Sequence, residues 1–411
     1  MKPTADATPR PTPDRLIFIF LGLFSFAVIF SVTAVQAALF LTLIALLVKN
    51  YRERSLPLLP RTARAHPLAL PWLVYLSVCL LTALTAYYPA KGFSQLNSDF
   101  LKYICLFTLL LAVKAEHLPR LSAIYTLAAF AAAVVGITEV SAAKYLDISP
   151  RANAFMNAVR YGEVMVIAFL LALSRIALPS KESFSRERAF YLLAAPLIFS
   201  ALILSQTRGA YLGAVAGVLA MFYFSPASRK KLAAWCAALL ILAGLLISTN
   251  PALKARVSAG AIANRGDLAD NSPATGVNVR LRLWALGFKM LKAHPVLGVG
   301  PDNIKKVFKK FHPEPFPEDG IYGTLNNLYV HQAAERGLLG LGALLLLFGA
   351  SFKFARDRFR STGSPYALWA LTALPAYFVV NLTEISFQHV HTAFAIFLAL
   401  AFAAAAGKET V

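Results

Sequence analysis

Apolar positions in this chain come in runs of about 16–22 residues, separated mostly by short polar connections, and runs of that length cross a bilayer as helices. Leu16–Val48 is too long for one crossing and carries Ser31, Thr33 and Gln36 in its middle, so it predicts two helices with a tight turn. Single spans are predicted at Leu68–Tyr88, Phe100–Val113, Leu121–Ala143, Tyr161–Leu178, Phe190–Leu204, Tyr211–Phe224 and Leu232–Ser248. Three more follow at Leu338–Phe352, Tyr366–Leu382 and Thr392–Ala405. The fold class expected is an all-α polytopic membrane protein of about 12 transmembrane helices. The long polar block Asn250–Gly340 interrupts the series. The chain then divides into 1–249 with nine helices, 250–337 as one long, partly helical loop domain, and 338–411 with three helices and a short tail.

The block has its own periodicity. Val279–His294 places Leu283, Leu286, Gly287 and Met290 at helical spacing, and the Pro/Gly-rich HPVLGVGP stretch ends that helix. In Asp302–Phe311, Ile304, Val307, Phe308 and Phe311 share one face, with Lys305, Lys306, Lys309 and Lys310 on the other. That pattern suits either a helix lying on an anionic membrane surface or one packed on the protein with its lysines in water. Asn326–Gly342 begins polar and turns apolar, as the start of a span should.

Composition supports the membrane reading: 58% of residues are hydrophobic and only 15% charged, against about 25% charged in soluble domains. The formal net charge of +20 would ordinarily suggest nucleic acid, but these cations cluster in short connections. Arg52, Arg54, Arg61 and Arg64, then Lys114 and Arg120, then Arg229, Lys230 and Lys231, then Lys353, Arg356, Arg358 and Arg360 alternate with cation-poor connections. By the positive-inside rule both termini are cytoplasmic and the long block lies on the outer, periplasm-like side. Nucleic acid is not an expected partner; membrane lipid is. Met1–Arg15 is polar and Pro-rich, and the apolar run after it has no small-residue cleavage site, so no cleaved leader is expected. Cys79, Cys105 and Cys236 lie within apolar runs, as small core residues do.

Candidate chemistry gathers in and beside the block. Between residues 250 and 330 there are eleven Lys and Arg against six Asp and Glu, on the side where positive charge is normally depleted. Arg208, in SQTRGAYLG between two apolar runs, has no acidic neighbour in sequence, and a guanidinium pairs well with phosphate oxygens. Arg280 opens the first block helix, with Arg282 as its competitor; an ordinary solvated arginine is the alternative. His331 lies near the lipid boundary with Gln332 beside it and Glu335 one turn later. Arg151 and Arg160 flank the loop before the sixth span, where they either contact a phosphate or snorkel. Tyr211 and Asn303 are further binding candidates. There is no Walker A loop and no Asp-x-Asp pair in the block, so neither ATP nor a metal-held nucleotide sugar is expected. His389 and His391 near Glu384 form a weak possible metal cluster; no metal or other cofactor is expected.

The SQTRGAYLG turn, the RLRLW…HPVLGVGPDN segment and the His331–Gln332 element ahead of Gly342 resemble the O-antigen ligase family, over about residues 120–400. The superfamily is shared with O-antigen polymerases and bacterial protein O-oligosaccharyltransferases. The resemblance implies a C-type glycosyltransferase fold and a metal-independent, inverting transfer. The donor is an undecaprenyl-pyrophosphate-linked glycan and the acceptor a lipid A–core oligosaccharide. It also implies that Arg208 and Arg280 bind phosphate and that His331 is the catalytic base; Arg280 stands four residues before Trp284, as in the family pattern. A sugar linked to diphosphate needs no ATP, cations aimed at the leaving group accelerate its departure, and an imidazole suits removal of a hydroxyl proton near neutral pH. The alternatives are an O-antigen polymerase, a protein O-oligosaccharyltransferase and, in another class, a lipid-linked glycan transporter.

Overall fold

The computed structural model describes residues 12–146, 151–178, 186–225, 229–254, 276–312 and 320–407. Those residues are overwhelmingly α-helical and contain no strand. The helices are α1 (Pro13–Phe30), α2 (Val32–Arg52), α3 (Leu58–Ala65), α4 (Ala69–Leu84), α5 (Pro89–Ala112), α6 (Leu118–Leu146), α7 (Ala158–Ala177) and α8 (Arg186–Leu204). They continue as α9 (Arg208–Phe224), α10 (Arg229–Thr249), α11 (Gly276–Ala293), α12 (Ile304–Phe311), α13 (Leu328–Thr362), α14 (Pro365–Val380) and α15 (Val390–Ala405). Six described helices are long and apolar enough to cross a membrane, or seven when α3 and α4, bent by 92°, count as one span. The molecule is a polytopic membrane protein.

Packing sorts the helices into a centre and a lipid face. Most residues of α7, α14 and α15 are buried around the whole circumference, as expected of central helices. The Trp369 indole N–H donates 2.8 Å to the Ile167 carbonyl and joins α14 to α7. By contrast α2, α9 and α10 expose Ile44, Leu219 and Leu240. The α1–α2 hairpin turns on a single residue: Ser31 is extended, and its hydroxyl accepts from the Ala34 N–H at 3.2 Å, capping α2.

Two differences from the periodicity have physical causes. Helix α5 starts at Pro89 rather than near Phe100, because polar Asp99 and Lys102 are buried and paired inside the protein. Helix α13 begins at Leu328, well before Leu338, and is broken at Gly337 (φ 63°, ψ −166°). At that break the 294–303 loop is laced into the helix. Val299 N–H donates to Ala334 O and Gly300 N–H to Glu335 O, at 2.9 and 2.8 Å, while Leu338 N–H donates to Pro295 O at 2.8 Å. The backbone groups freed by the break are therefore satisfied within the protein, the condition for a broken helix in a membrane protein. Gly298 (φ 69°) passes so close that a Cβ would lie 2.3 Å from the Glu335 carbonyl carbon. This contact explains the HPVLGVG string and its distant glycine partner.

Helices α11 and α12 form a second core: Leu283, Leu286 and Met290 meet Ile304, Val307 and Phe308, with Leu325 and Ala334. The apolar face of α12 is thus buried on protein, not laid in lipid, and its four lysines are exposed.

Candidate active site

The turn between α14 and α15 organises the site, and Glu384 is its hub. Asn381 caps α14, its side-chain carbonyl accepting from the Phe387 N–H at 3.2 Å, so the turn is held by its own residues. Glu384, largely buried, receives Arg280 Nη2 at 2.6 Å on Oε1. Burial pushes the Glu384 carboxyl up to about 7; Arg280 opposes the rise, Glu163 adds to it, and Arg151 and Arg160 oppose it. Three of the arginines read from the sequence therefore act on one carboxylate.

Arg208 reaches the same turn through its backbone. It is the first residue of α9, and a Cβ on the next residue, Gly209, would lie 2.1 Å from Thr383 Oγ1. Only a glycine lets the N-terminus of α9 approach the turn so closely. That terminus is a favourable position for an anion, because its N–H groups and dipole point outward. Arg151 ties the preceding turn in place, donating from Nε to the Ser205 carbonyl at 3.0 Å and from Nη2 to Thr207 Oγ1 at 3.3 Å. Thr207 in turn donates to the Ala158 carbonyl at 3.0 Å, at the start of α7. Arg160, two residues on, is exposed. On the same helix Glu163 accepts from Ser386 Oγ at 2.7 Å.

His331 sits one turn into α13, 2% exposed, with Nε2 3.3 Å from Glu335 Oε2. Its Nδ1 has no hydrogen-bond partner. Leu328, at the start of that turn, donates its N–H to the Asn381 and Glu384 carbonyls at 2.9 and 3.0 Å. The imidazole is thereby tied through the backbone to the turn whose Glu384 holds Arg280, while its own side-chain contact is Glu335. Asp302, exposed and in a left-handed conformation (φ 53°), lies on the laced loop. Partial burial and Glu335 push its carboxyl up, and Lys91, His331 and Lys305 pull the other way.

Other sequence candidates fall outside this arrangement. Arg282, two residues from Arg280 and so on the far side of α11, is exposed. Asn303 is fully buried and its amide braces backbone: it accepts from Tyr88 N–H at 2.7 Å and donates to Pro301 O at 2.7 Å. The Tyr211 hydroxyl donates to the Ile203 carbonyl, and the ring lines an apolar cavity of about 460 Å³ between α7, α8, α9 and α10. The cavity runs from Ile203 and Tyr211, one turn from Arg208, down to Phe222 and Cys236. His391 turns its Nδ1 to the Val28 carbonyl at 2.7 Å, away from the metal cluster weighed for it, and among the described residues no three His, Cys, Asp or Glu side chains are grouped to hold a metal. Sequence reasoning did not single out Glu384 as the partner of Arg280, since 104 residues separate them; it used Trp284 only to place Arg280, and that residue's buried indole N–H has no partner one turn after Arg280.

Residues 193–345 match the family model described as O-antigen ligase, so the resemblance read from the motifs is met over the stretch that carries them. A protein of Haemophilus influenzae described as uncharacterized is 26% identical over 149 residues. That match covers 35% of this chain and 37% of the relative's length.

Proposed function

We propose, taking the O-antigen ligase segment at residues 193–345 as the premise, that the chain transfers a preassembled glycan from undecaprenyl pyrophosphate to a lipid A–core hydroxyl. The transfer takes place on the periplasmic side of the inner membrane, by direct inverting attack and without metal or nucleotide. The observation that carries this reading is the Arg280–Glu384 ion pair at 2.6 Å, with Arg151 and Arg160 near enough to act on the same carboxylate electrostatically, at the turn that the start of α9 with Arg208 approaches. A guanidinium already paired with a buried carboxylate, with further cations nearby, is a ready diphosphate site, since ligand oxygens can replace that carboxylate on the Arg280 fork.

Each part has a role. Arg280 and Arg208 hold the diphosphate and stabilise the charge that grows on it as the C1–O bond breaks. Arg160 and Arg151 support the same charge from the loop before α7. The apolar cavity below Tyr211 takes the isoprenoid tail, placing the lipid in hydrocarbon and its headgroup at the arginines. His331 accepts the proton of the attacking hydroxyl. The exposed lysines of α12 offer phosphates on the acceptor a cationic surface.

Purified protein in nanodiscs, given undecaprenyl-diphosphate-linked glycan with separate acceptors, tests the reading. Product on lipid A–core supports the ligase. Longer carrier-linked chains alone identify a polymerase, and product only on a protein acceptor identifies a protein ligase. Donor movement between leaflets without any glycosidic product identifies a transporter.

A further inference from the structure

Four charged side chains behind His331 are almost wholly removed from solvent: Asp99, Glu335 and Arg336 at 1% exposure and Lys102 at 2%. They come from two helices, α5 and α13, and contact one another in a fixed order. Arg336 Nη2 donates to Asp99 Oδ2 at 2.7 Å, and its Nη1 donates to Gln332 Oε1 at 2.6 Å. Lys102 donates to Asp99 Oδ1 at 3.1 Å. Gln332 passes its own N–H to the Tyr75 hydroxyl at 3.0 Å. Asp99 and Gln332 are thus engaged, whereas Glu335 Oε2 is not. It lies 3.3 Å from His331 Nε2 and 3.9 Å from Arg336 Nη1, yet accepts a hydrogen bond from neither.

We infer that Glu335 is a positioning residue for His331, held in place by Arg336 and Asp99, and that Nδ1 of His331 is the atom that takes the acceptor proton. This rests on the reading of His331 as the base. Nε2 carries its hydrogen toward Glu335, which leaves the unpartnered Nδ1 lone pair for the hydroxyl. As the hydroxyl oxygen forms its bond to C1, the C1–O bond to the diphosphate breaks with its electron pair, and the hydroxyl proton moves to Nδ1. The imidazole then bears a positive charge 3.3 Å from a carboxylate oxygen whose bonding capacity is still unused. An interaction that strengthens only as charge develops lowers the barrier and not the ground state. Arg336 and Lys102 balance Asp99 and Glu335, so the dry site carries no excess of buried charge. The loop laced into the Gly337 break fixes the Glu335 carbonyl through Gly300 N–H, which holds the backbone of the pair as well.

The test is steady-state transfer by the full-length protein in nanodiscs, with undecaprenyl-diphosphate-linked glycan as donor and lipid A–core as acceptor. Glu335→Gln keeps the shape and removes only the charge; kcat is expected to fall by about 10–100-fold while KM for the donor changes by less than about twofold. Asp99→Leu combined with Arg336→Met removes the supporting pair and keeps the net charge of the buried cluster unchanged, with Lys102 and Glu335 left as the opposite charges. It should retain wild-type donor binding and lose kcat in the same direction, whereas Arg336→Lys with native Asp99 should recover part of it. Wild-type kcat in Glu335→Gln, or a loss that appears only in donor KM, overturns the pairing. Wild-type kcat in His331→Ala instead removes the base itself, so the two failures are distinguishable.

Discussion

The Glu384 carbonyl accepts the Leu328 N–H at 3.0 Å, so the residue whose carboxylate holds Arg280 also caps the helix that carries His331. The first N–H groups of a helix have no partners within it and must find them elsewhere. Here that need joins two parts of the site that share no sequence neighbourhood. A movement of the α14–α15 turn as a diphosphate displaces Glu384 from Arg280 would be felt at the start of α13.

That relationship predicts a pH dependence of donor binding. Glu384, with its carboxyl pushed up to about 7, is neutral below that pH and an anion above it. The diphosphate competes with the anion for Arg280, so its binding takes up a proton. Affinity is expected to be highest below pH 7 and to fall by up to about tenfold per pH unit above it. Glu384→Gln should bind more tightly at pH 8 and lose the slope. Titration of undecaprenyl pyrophosphate into the nanodisc-embedded protein from pH 6 to 8.5 checks this, and an unchanged slope in the variant would refute it.

The two neighbouring arginines of α11 should behave differently. Arg280→Ala is expected to lower turnover by about 10²–10³-fold, the usual loss when one preorganised donor to a developing anion is removed. Arg280→Lys should restore part of that, since an ammonium keeps the charge but not the fork. Arg282→Ala, on the exposed side, should retain near wild-type rates. Equal losses in both alanine variants would mean that helix α11 presents its charges in another register.

Much of the fold was legible because its code is local. Each predicted apolar run coincides with a described helix, and the spacing of Leu283, Leu286 and Met290 placed the buried face of α11. What escaped was set by partners far away. Phe100–Val113 read as a short span, yet Asp99 just before it and Lys102 within it are buried and charged, with Arg336, 237 residues on from Asp99, to balance them. Glu384 read as one corner of a weak metal cluster because nothing within its own segment indicates Arg280. The α12 pattern fitted lipid and protein equally well, since periodicity identifies an apolar face but not what covers it.

The glycines of α13 offer a contrast in stability. A Cβ at Gly337 would lie 2.1 Å from the Val296 carbonyl oxygen, at a backbone conformation that side chains avoid. Gly337→Ala should therefore loosen the laced loop and cost about 2 kcal/mol or more. Gly349 is helical and has open space where a Cβ would go, so Gly349→Ala should be neutral or slightly stabilising. Thermal melts of the two variants in the same detergent separate the cases, and similar melting temperatures would contradict the lacing.

The cavity below Tyr211 supplies a test that depends on lipid length. Ala243 lines it from α10, a helix with little of its surface buried in the protein, so a larger side chain there can enter the cavity without displacing a tight contact. Ala243→Trp should then compete with the isoprenoid tail for the same volume of about 460 Å³. An indole covers much of such a groove, and burial of hydrocarbon contributes about 0.8 kcal/mol per methylene-sized group. Exclusion of only two such groups corresponds to about a tenfold rise in donor KM. A donor with a tail of only two isoprene units has less chain to seat, so its KM should change much less. Headgroup chemistry is identical in the two donors, and kcat at saturation should therefore be preserved with both. Equal effects on the long- and short-tailed donors would place the tail elsewhere, and loss of kcat with both would indicate damage to the arginine-bearing turn above the cavity.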